Sequence, residues 1–373
     1  MTPMRVGLST STVQAARLVR GVDGIGVYTQ HLREALPSLG IDVRGWFFPD
    51  ATMTRLPGPG SPFPGSFAAR SVAGLIGLRL DMASEVDVFH VTDYRVVRMN
   101  CPVVVTLHDA VPLSHPEWTS ARFRWVKNFQ FRRSGRYADG VIALSRAAVP
   151  ELVEHFGIEE ERISVVPCGV DPDWFEAVNS AAVDAELAAR GLAPGYFLFV
   201  GTLQPRKNVG RIIDAYLALP EAIRAARQLV IVGRPGWHCE EEAFRLRAAM
   251  AAGQSIVWID NLSDRAALRR IFAGAGVFVF PSLHEGFGIP VLEAFASGIP
   301  VVTSNMSSLP EVAGDAAVLV DPFDVASISD GMARLADDPT LRLACIGRGR
   351  DRARILSWEN TARLTVEVYR RFA

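Results

Sequence analysis

Glu285 and Glu293, with seven residues between them, stand inside the stretch Pro281-Ser-Leu-His-Glu-Gly-Phe-Gly-Ile-Pro-Val-Leu-Glu-Ala-Phe-Ala-Ser-Gly298. Carboxylates accept hydrogen bonds from hydroxyls, and a nucleotide sugar carries hydroxyls on both its ribose and its hexose. The preceding run Gly276-Val-Phe-Val-Phe280 is short, apolar and rich in β-branched and aromatic residues, which predicts a strand buried on both faces of a parallel sheet. Pro290 suits the first turn of a helix and Gly298 its stop, which places Glu293 on the first turn of that helix. Gly286 and Gly288 let backbone approach a ligand closely. The free N–H groups of the helix start favour an anion. The stretch therefore reads as the floor of a sugar-nucleotide site.

A second segment, Phe199-Val-Gly-Thr-Leu-Gln-Pro-Arg-Lys-Asn-Val209, ends a predicted strand at Gly201 and Thr202 and sets Arg206 and Lys207 before a helix. Asn208 is expected to cap that helix. Arginine makes forked bonds to phosphate oxygens and lysine supplies a point charge, so the pair can offset the charge of a leaving diphosphate. A third, Val103-Val-Val-Thr-Leu107, delivers His108-Asp109 to a sheet edge. There a histidine can bond a hexose hydroxyl, with Asp109 as its orienting partner or as an acceptor-side contact. Asp23-Gly-Ile-Gly-Val-Tyr28 offers a Gly-x-Gly pair at a helix start, but the third glycine of a dinucleotide fingerprint is missing.

The Glu-x7-Glu pattern, with Gly-Phe-Gly-Ile-Pro inside it and Ser-Gly-Ile-Pro-Val-Val after it, resembles the retaining GT-B glycosyltransferases of family 4. That resemblance implies two Rossmann-like domains facing across a cleft, the first binding acceptor and the second a nucleoside-diphosphate sugar. It implies that Arg206, Lys207 and the backbone of Gly286, Phe287, Gly288 and Ile289 hold the diphosphate, with Gly201 and Thr202 beside it. Glu293 is then the ribose ligand, Glu285 faces the transferred sugar, and His108 contacts that sugar. Gly24, Gly26 and Tyr28 match the family's glycine-rich loop between donor and acceptor. No cofactor or metal is implied, and no Asp-x-Asp pair stands in a suitable turn. Pro-Arg-Lys-Asn, with Gly236-Trp237, looks most like bacterial mannosyl- or rhamnosyltransferases of surface-polysaccharide assembly. GDP-mannose is the favoured donor, a UDP- or dTDP-sugar being the alternative, and a lipid-linked saccharide the expected acceptor. An epimerase of similar architecture and a non-catalytic binder are the rival readings.

Twelve short apolar runs, alternating with helical patterns, are what position these residues. The first six are Val6 to Leu8, Val43 to Phe48, Val86 to Val91, Val103 to Leu107, Val141 to Leu144 and Ile163 to Val166. The second six are Tyr196 to Val200, Leu229 to Val232, Ile256 to Ile259, Val277 to Phe280, Val301 to Thr303 and Ala317 to Val320. Such alternation predicts an α/β fold with doubly wound parallel sheets. The expected domains are 1–172, 173–356 and a C-terminal helix at 357–373 that packs back on the first. Residues 170–195, broken by Pro172, Asn179, Pro194 and Gly195, read as the linker, and 49–68 as an irregular loop. Ser263 or Asp264 is expected to cap a helix, Ser145 another, and Glu311 to be structural.

Composition narrows the partners. With 39 basic and 40 acidic residues the chain has no global field for nucleic acid. Four scattered cysteines lack metal-ligand spacing and suit a reducing cytoplasm. No apolar run approaches membrane-spanning length, so a cytoplasmic protein is expected. From Trp118 to Tyr137, however, six basic residues and no acidic one interleave with Phe123, Trp125, Phe129 and Phe131. This segment reads either as an ordinary helix with snorkelling arginines or as a contact with the anionic inner face of a membrane.

Overall fold

The computed structural model describes residues 3–14, 24–49, 59–118 and 124–373. Asp23, residues 50–58 of the proline-rich loop, and Arg122 with Phe123 lie outside them. The chain divides into two units, Met1–Cys168 with Trp358–Ala373, and Gly169–Ser357.

The first unit is built on a parallel sheet in the order β3-β2-β1-β4-β5-β6-β7. Its strands are β1 (Met4–Ser9), β2 (Ile41–Phe47), β3 (Ser61–Pro62), β4 (Val88–Val91), β5 (Val103–Leu107), β6 (Gly140–Ala143) and β7 (Ile163–Val165). The central strands β4, β5 and β6 are buried at every position, as unbroken apolar runs covered on both faces require. The two-residue β3 was not expected. It arises where Phe63 N–H reaches the carbonyl of Phe47 and extends the sheet edge.

The C-terminal helix Trp358–Tyr369 belongs to this unit, where it packs against helix Gly24–Ala35. His31 stacks on Trp358 with ring centroids 4.7 Å apart, and Thr361 donates to the Pro167 carbonyl at 2.8 Å. Beneath lies a buried polar chain. Thr106 Oγ1 sits 3.0 Å from the Tyr28 hydroxyl and 2.8 Å from His90 Nε2, and His90 Nδ1 sits 2.6 Å from the Tyr369 hydroxyl. Burial holds His90 down at about 3, helped by the neighbouring His108, so its imidazole is neutral.

The second unit carries β8 (Tyr196–Val200), β9 (Leu229–Val232), β10 (Ile256–Ile259), β11 (Ala275–Phe280), β12 (Val301–Ser304) and β13 (Ala317–Val320), in the order β10-β9-β8-β11-β12-β13. Numbered within the unit this is 3-2-1-4-5-6, the doubly wound order. Strand order reverses between β8 and β11, and such sheets open a crevice at the carboxyl ends of those two strands. Part of the expected linker is ordered. Ser180–Ala189 forms a helix, started by Asn179, whose side chain accepts from the Ala182 N–H at 3.1 Å. Its alanine-rich, weakly patterned sequence gives little amphipathic signal, and only Asn179 announced it.

Candidate functional site

Gly201 and Thr202 follow β8, and Pro281 follows β11, so the two chemistry-bearing segments of the second unit meet where its strand order reverses. Close backbone contact fixes the first. A side chain on Gly233 would strike the Gly201 carbonyl and one on Gly236 the Leu203 carbonyl, so the turn 233–236 lies flat along residues 201–204. Leu203 N–H donates to Arg234 and Gly236 N–H to Leu203, both at 2.9 Å. This clamp turns the chain into the short 3-10 turn Pro205–Lys207.

Both cations of that turn converge on one carboxylate. Glu285 Oε2 accepts from Arg206 Nη1 at 2.7 Å, and Glu285 Oε1 accepts from Lys207 Nζ at 2.6 Å. Arg206 also donates to the His284 carbonyl at 3.0 Å, and Leu283 N–H returns a bond to the Arg206 carbonyl at 2.8 Å. Lys207 lies over the Phe280 ring, 4.7 Å from its centroid, a cation–π contact that holds the ammonium toward the strand end. Burial by itself would raise the Glu285 carboxyl, but the charges and hydrogen bonds of Arg206 and Lys207 outweigh it and hold the group at about 2. The trio is thus fully ionised and carries one net positive charge.

The turn after Glu285 is held from the turn that follows β12. Ser307 Oγ donates to the Glu285 carbonyl at 2.7 Å and accepts from its N–H at 3.2 Å. Ser308 Oγ contacts the carbonyls of Glu285 and Phe287 at 2.9 and 2.7 Å. Phe287 buries its side chain, so what the turn can present to a ligand there is backbone. Gly288 takes φ +116° just before helix Ile289–Ala296, and a side chain there would strike Leu309. Only glycine fits that step without strain.

Glu293 is the fifth residue of this helix, just past the first turn on which the sequence reading placed it. It retains some exposed surface but is sunk deeply enough for desolvation to dominate. Desolvation raises its carboxyl to about 7, with Arg265 opposing and Asp171 adding to the rise. Arg265 Nη2 pairs with Asp171 at 2.5 Å. This neighbouring ion pair was not anticipated, since it joins residues far apart in sequence.

Other residues depart from expectation. Asn208 does not cap its helix; it adopts φ +62°, and its Nδ2 donates to the carbonyls of Pro281 and Pro322 at 2.9 and 2.7 Å. It ties the basic turn to β11 and to the segment after β13. Of the expected caps, Asp264 holds its helix through the Ala266 and Ala267 N–H groups, but Ser145 does not: helix Val149–Phe156 starts from Ala148 with no side-chain cap, and Ser145 accepts from the Ala148 N–H ahead of it. The Glu311 carbonyl accepts from Arg352 at 2.7 Å.

On the first unit, His108 is buried with Nε2 3.0 Å from the Thr92 carbonyl and its ring edge-on to Tyr28 at 5.2 Å. Asp109 does not orient it. That carboxylate accepts from the Tyr94 hydroxyl at 2.9 Å and the Val111 N–H at 3.1 Å. Gly24 opens helix Gly24–Ala35 at the surface and Gly26 is buried in its first turn. Tyr28 is buried against Thr106, which makes it a packing residue.

Residues 189–352 match the family described as Glycosyl transferases group 1, and residues 22–174 match Glycosyltransferase Family 4. The O-antigen chain mannosyltransferase B of Escherichia coli is 32% identical over 270 residues, 72% of this chain and 70% of that protein. The MMP alpha-(1->4)-mannosyltransferase of Mycolicibacterium hassiacum is 27% identical over 93% of this chain and 94% of its own length. Anabaena Alr3699/HepE, solved with UDP and glucose, superposes with a TM-score of 0.73 at 17% identity, covering 98% of each chain. The chain belongs to the group 1, family 4 glycosyltransferases and has their GT-B fold.

Proposed function

We propose that this glycosyltransferase moves a mannosyl unit from GDP-mannose, with retention of configuration and without a metal, to a hydroxyl of a lipid-linked polysaccharide precursor. The observation that carries the reading is the Arg206–Glu285–Lys207 trio, with Glu285 and Lys207 buried and Arg206 part-buried, at the carboxyl ends of β8 and β11. Two cations held there can accept a diphosphate as its bond to the sugar breaks, and fixed charge costs no reorganisation at that moment. Without donor, Glu285 satisfies both cations. With donor bound, phosphate oxygens share them, and Glu285 is free to bond a hydroxyl of the transferred sugar. Glu293 accepts from the ribose, and His108 is assigned a bond to the hexose. Mannose is favoured because relatives such as the E. coli protein are named mannosyltransferases.

A peripheral contact of residues 118–137 with the membrane would bring the enzyme to such an acceptor. Among the described residues no helix is long and apolar enough to cross a bilayer.

The test is a transfer screen with GDP-mannose, UDP-glucose, UDP-GlcNAc and dTDP-rhamnose, each offered with a lipid-linked acceptor pool and chelator. Product one sugar longer from GDP-mannose alone supports the assignment. Transfer from another donor, or none once chelator is added, overturns the donor or the metal-free part respectively.

A further inference from the structure

Helix Glu240–Ala251 of the second unit gives one flank to its own unit and leaves the other in water. Ala243 and Leu246 are buried beneath it, and Arg245 pairs with Asp214 of helix Val209–Ala218 on the inner side. At about 100° per residue Glu240, Phe244, Arg247 and Ala251 fall within roughly 60° of arc, on the side turned from Arg245. All four are exposed, Phe244 by 70%. This stripe overhangs β10, the edge strand of the sheet, because the Arg247 guanidinium lies over the Trp258 ring at 5.3 Å. Trp258 in turn donates its Nε1–H to the Gly233 carbonyl at 2.9 Å, which fixes the ring. Trp237, 60% exposed, stands just ahead of the helix. The edge strand itself, Ile256-Val-Trp-Ile259, carries no charge, and natural proteins cover such an edge.

Turned end for end, the stripe is its own complement. Glu240 stands four residues before Phe244 and Arg247 three after it, about 6 and 4.5 Å along the helix axis. In two antiparallel copies crossing at Phe244, each Glu240 therefore comes level with the other copy's Arg247 to within about 1.5 Å. Two phenyl rings meet between these ion pairs. Trp237 and Ala251 each lie seven residues from Phe244, so a large side chain comes opposite a small one at both ends. Charge decides against other partners. Glu240, Glu241 and Glu242 crowd one end of the helix and repel a nucleic acid or an anionic lipid surface.

We propose that this flank, with Trp237, Glu240, Phe244 and Arg247 above the open edge of β10, is the interface of a two-fold symmetric dimer of this chain. The Phe244 pair forms its dry centre, and the two Glu240–Arg247 pairs lie at its rim, where they set register. Arg247 keeps its place over Trp258 while it meets the second copy's Glu240, so the dimer shields the edge strand on its helix side. The proposal goes beyond glycosyl transfer and does not depend on the donor.

Sedimentation velocity of the whole chain from about 1 to 100 µM, without donor or acceptor, tests it. One helix flank with two tryptophans is a small interface, so the wild type should pass from monomer to dimer with a Kd on the order of 10 µM. Phe244→Ser should weaken association by about tenfold or more. Glu240→Arg and Arg247→Glu each set like charges together in their own dimers, and each alone should stay monomeric. Mixed in equal amounts the two should regain the dimer, because both pairs then unite opposite charges. A wild type monomeric throughout that range, Phe244→Ser that dimerises like the wild type, or a mixture that stays monomeric although both variants melt as the wild type does, would each overturn the proposal. Retention of the wild type on phosphatidylglycerol vesicles that Phe244→Ser abolishes would give the flank to a membrane and likewise overturn it.

Discussion

Lys207 Nζ and Glu285 Oε1 meet at 2.6 Å although 78 residues separate them, and Arg206 closes on the other oxygen of the same carboxylate. The three side chains act as one charged object. Lys207→Met should lower kcat for transfer by about a hundredfold or more, because a cation facing the leaving diphosphate is gone. Glu285→Gln should also lower transfer and destabilise the fold by roughly 3 kcal/mol, since the buried Lys207 and the part-buried Arg206 then lack their counter-ion. The double variant should be more stable than the sum of the singles, with a coupling of about 1 kcal/mol or more by urea melts. Additive losses would show that the trio is not a unit.

Glu293 and Glu285 should respond to pH in opposite senses. The Glu293 carboxyl is raised to about 7, so between its ordinary 4.5 and 7 the folded chain holds a proton that the unfolded chain has released. Its contribution to stability therefore falls as pH rises through that window and levels off above it. Glu285, held at about 2, contributes stability that is complete above 4.5 and is lost only as pH falls toward 2. Urea melts of Glu293→Gln from pH 5 to 8 should lose the falling component. If Glu293 accepts from the ribose, KM for the donor should improve as pH rises through about 7 in the wild type and stay flat in the variant. A KM that is flat in both would remove Glu293 from the donor site.

Tyr369 pins the C-terminal helix to the first unit through His90 Nδ1 at 2.6 Å. Tyr369→Phe keeps the ring and removes the hydroxyl, leaving a buried imidazole nitrogen without this bond. The expected cost is about 1 to 3 kcal/mol in urea melts, with donor affinity unchanged. A variant as stable as the wild type would show that the helix is held by packing alone.

All twelve apolar runs read from the sequence are strands, because a strand covered on both faces needs an unbroken apolar run and the helices between need little more than period. The two-residue β3 was illegible because Ser61 and Pro62 carry no strand signal and pair only because Phe63 N–H reaches Phe47. At the site, Glu285, Arg206 and Lys207 were legible as residue types at strand ends. Their mutual contact was not, since Glu285 faces cations supplied by another strand. Ser307 and Ser308 gave the faintest signal, two small hydroxyls ahead of a Leu-Pro helix start, and their bonds to Glu285 and Phe287 are visible only in three dimensions.

Asn208 is where local reasoning failed and tertiary structure won, and it supplies the last prediction. Asparagine before a helix reads as a cap, yet this one sits at φ +62° with no capping bond and spends its amide on Pro281 and Pro322, 73 and 114 residues away. Asn208→Ala would leave two buried carbonyls unpaired and place alanine in a left-handed conformation that asparagine tolerates better. Both effects destabilise, together by roughly 2 to 4 kcal/mol. Because Asn208 directly follows Lys207, the loss should also loosen the basic turn. In the folded fraction KM for the donor is expected to rise several-fold, with a smaller change in kcat. Asn208→Gly relieves the backbone strain but not the missing bonds. It should recover part of the stability and little of the KM, whereas full recovery by glycine would show that backbone conformation alone, not the two amide bonds, holds Lys207 in place.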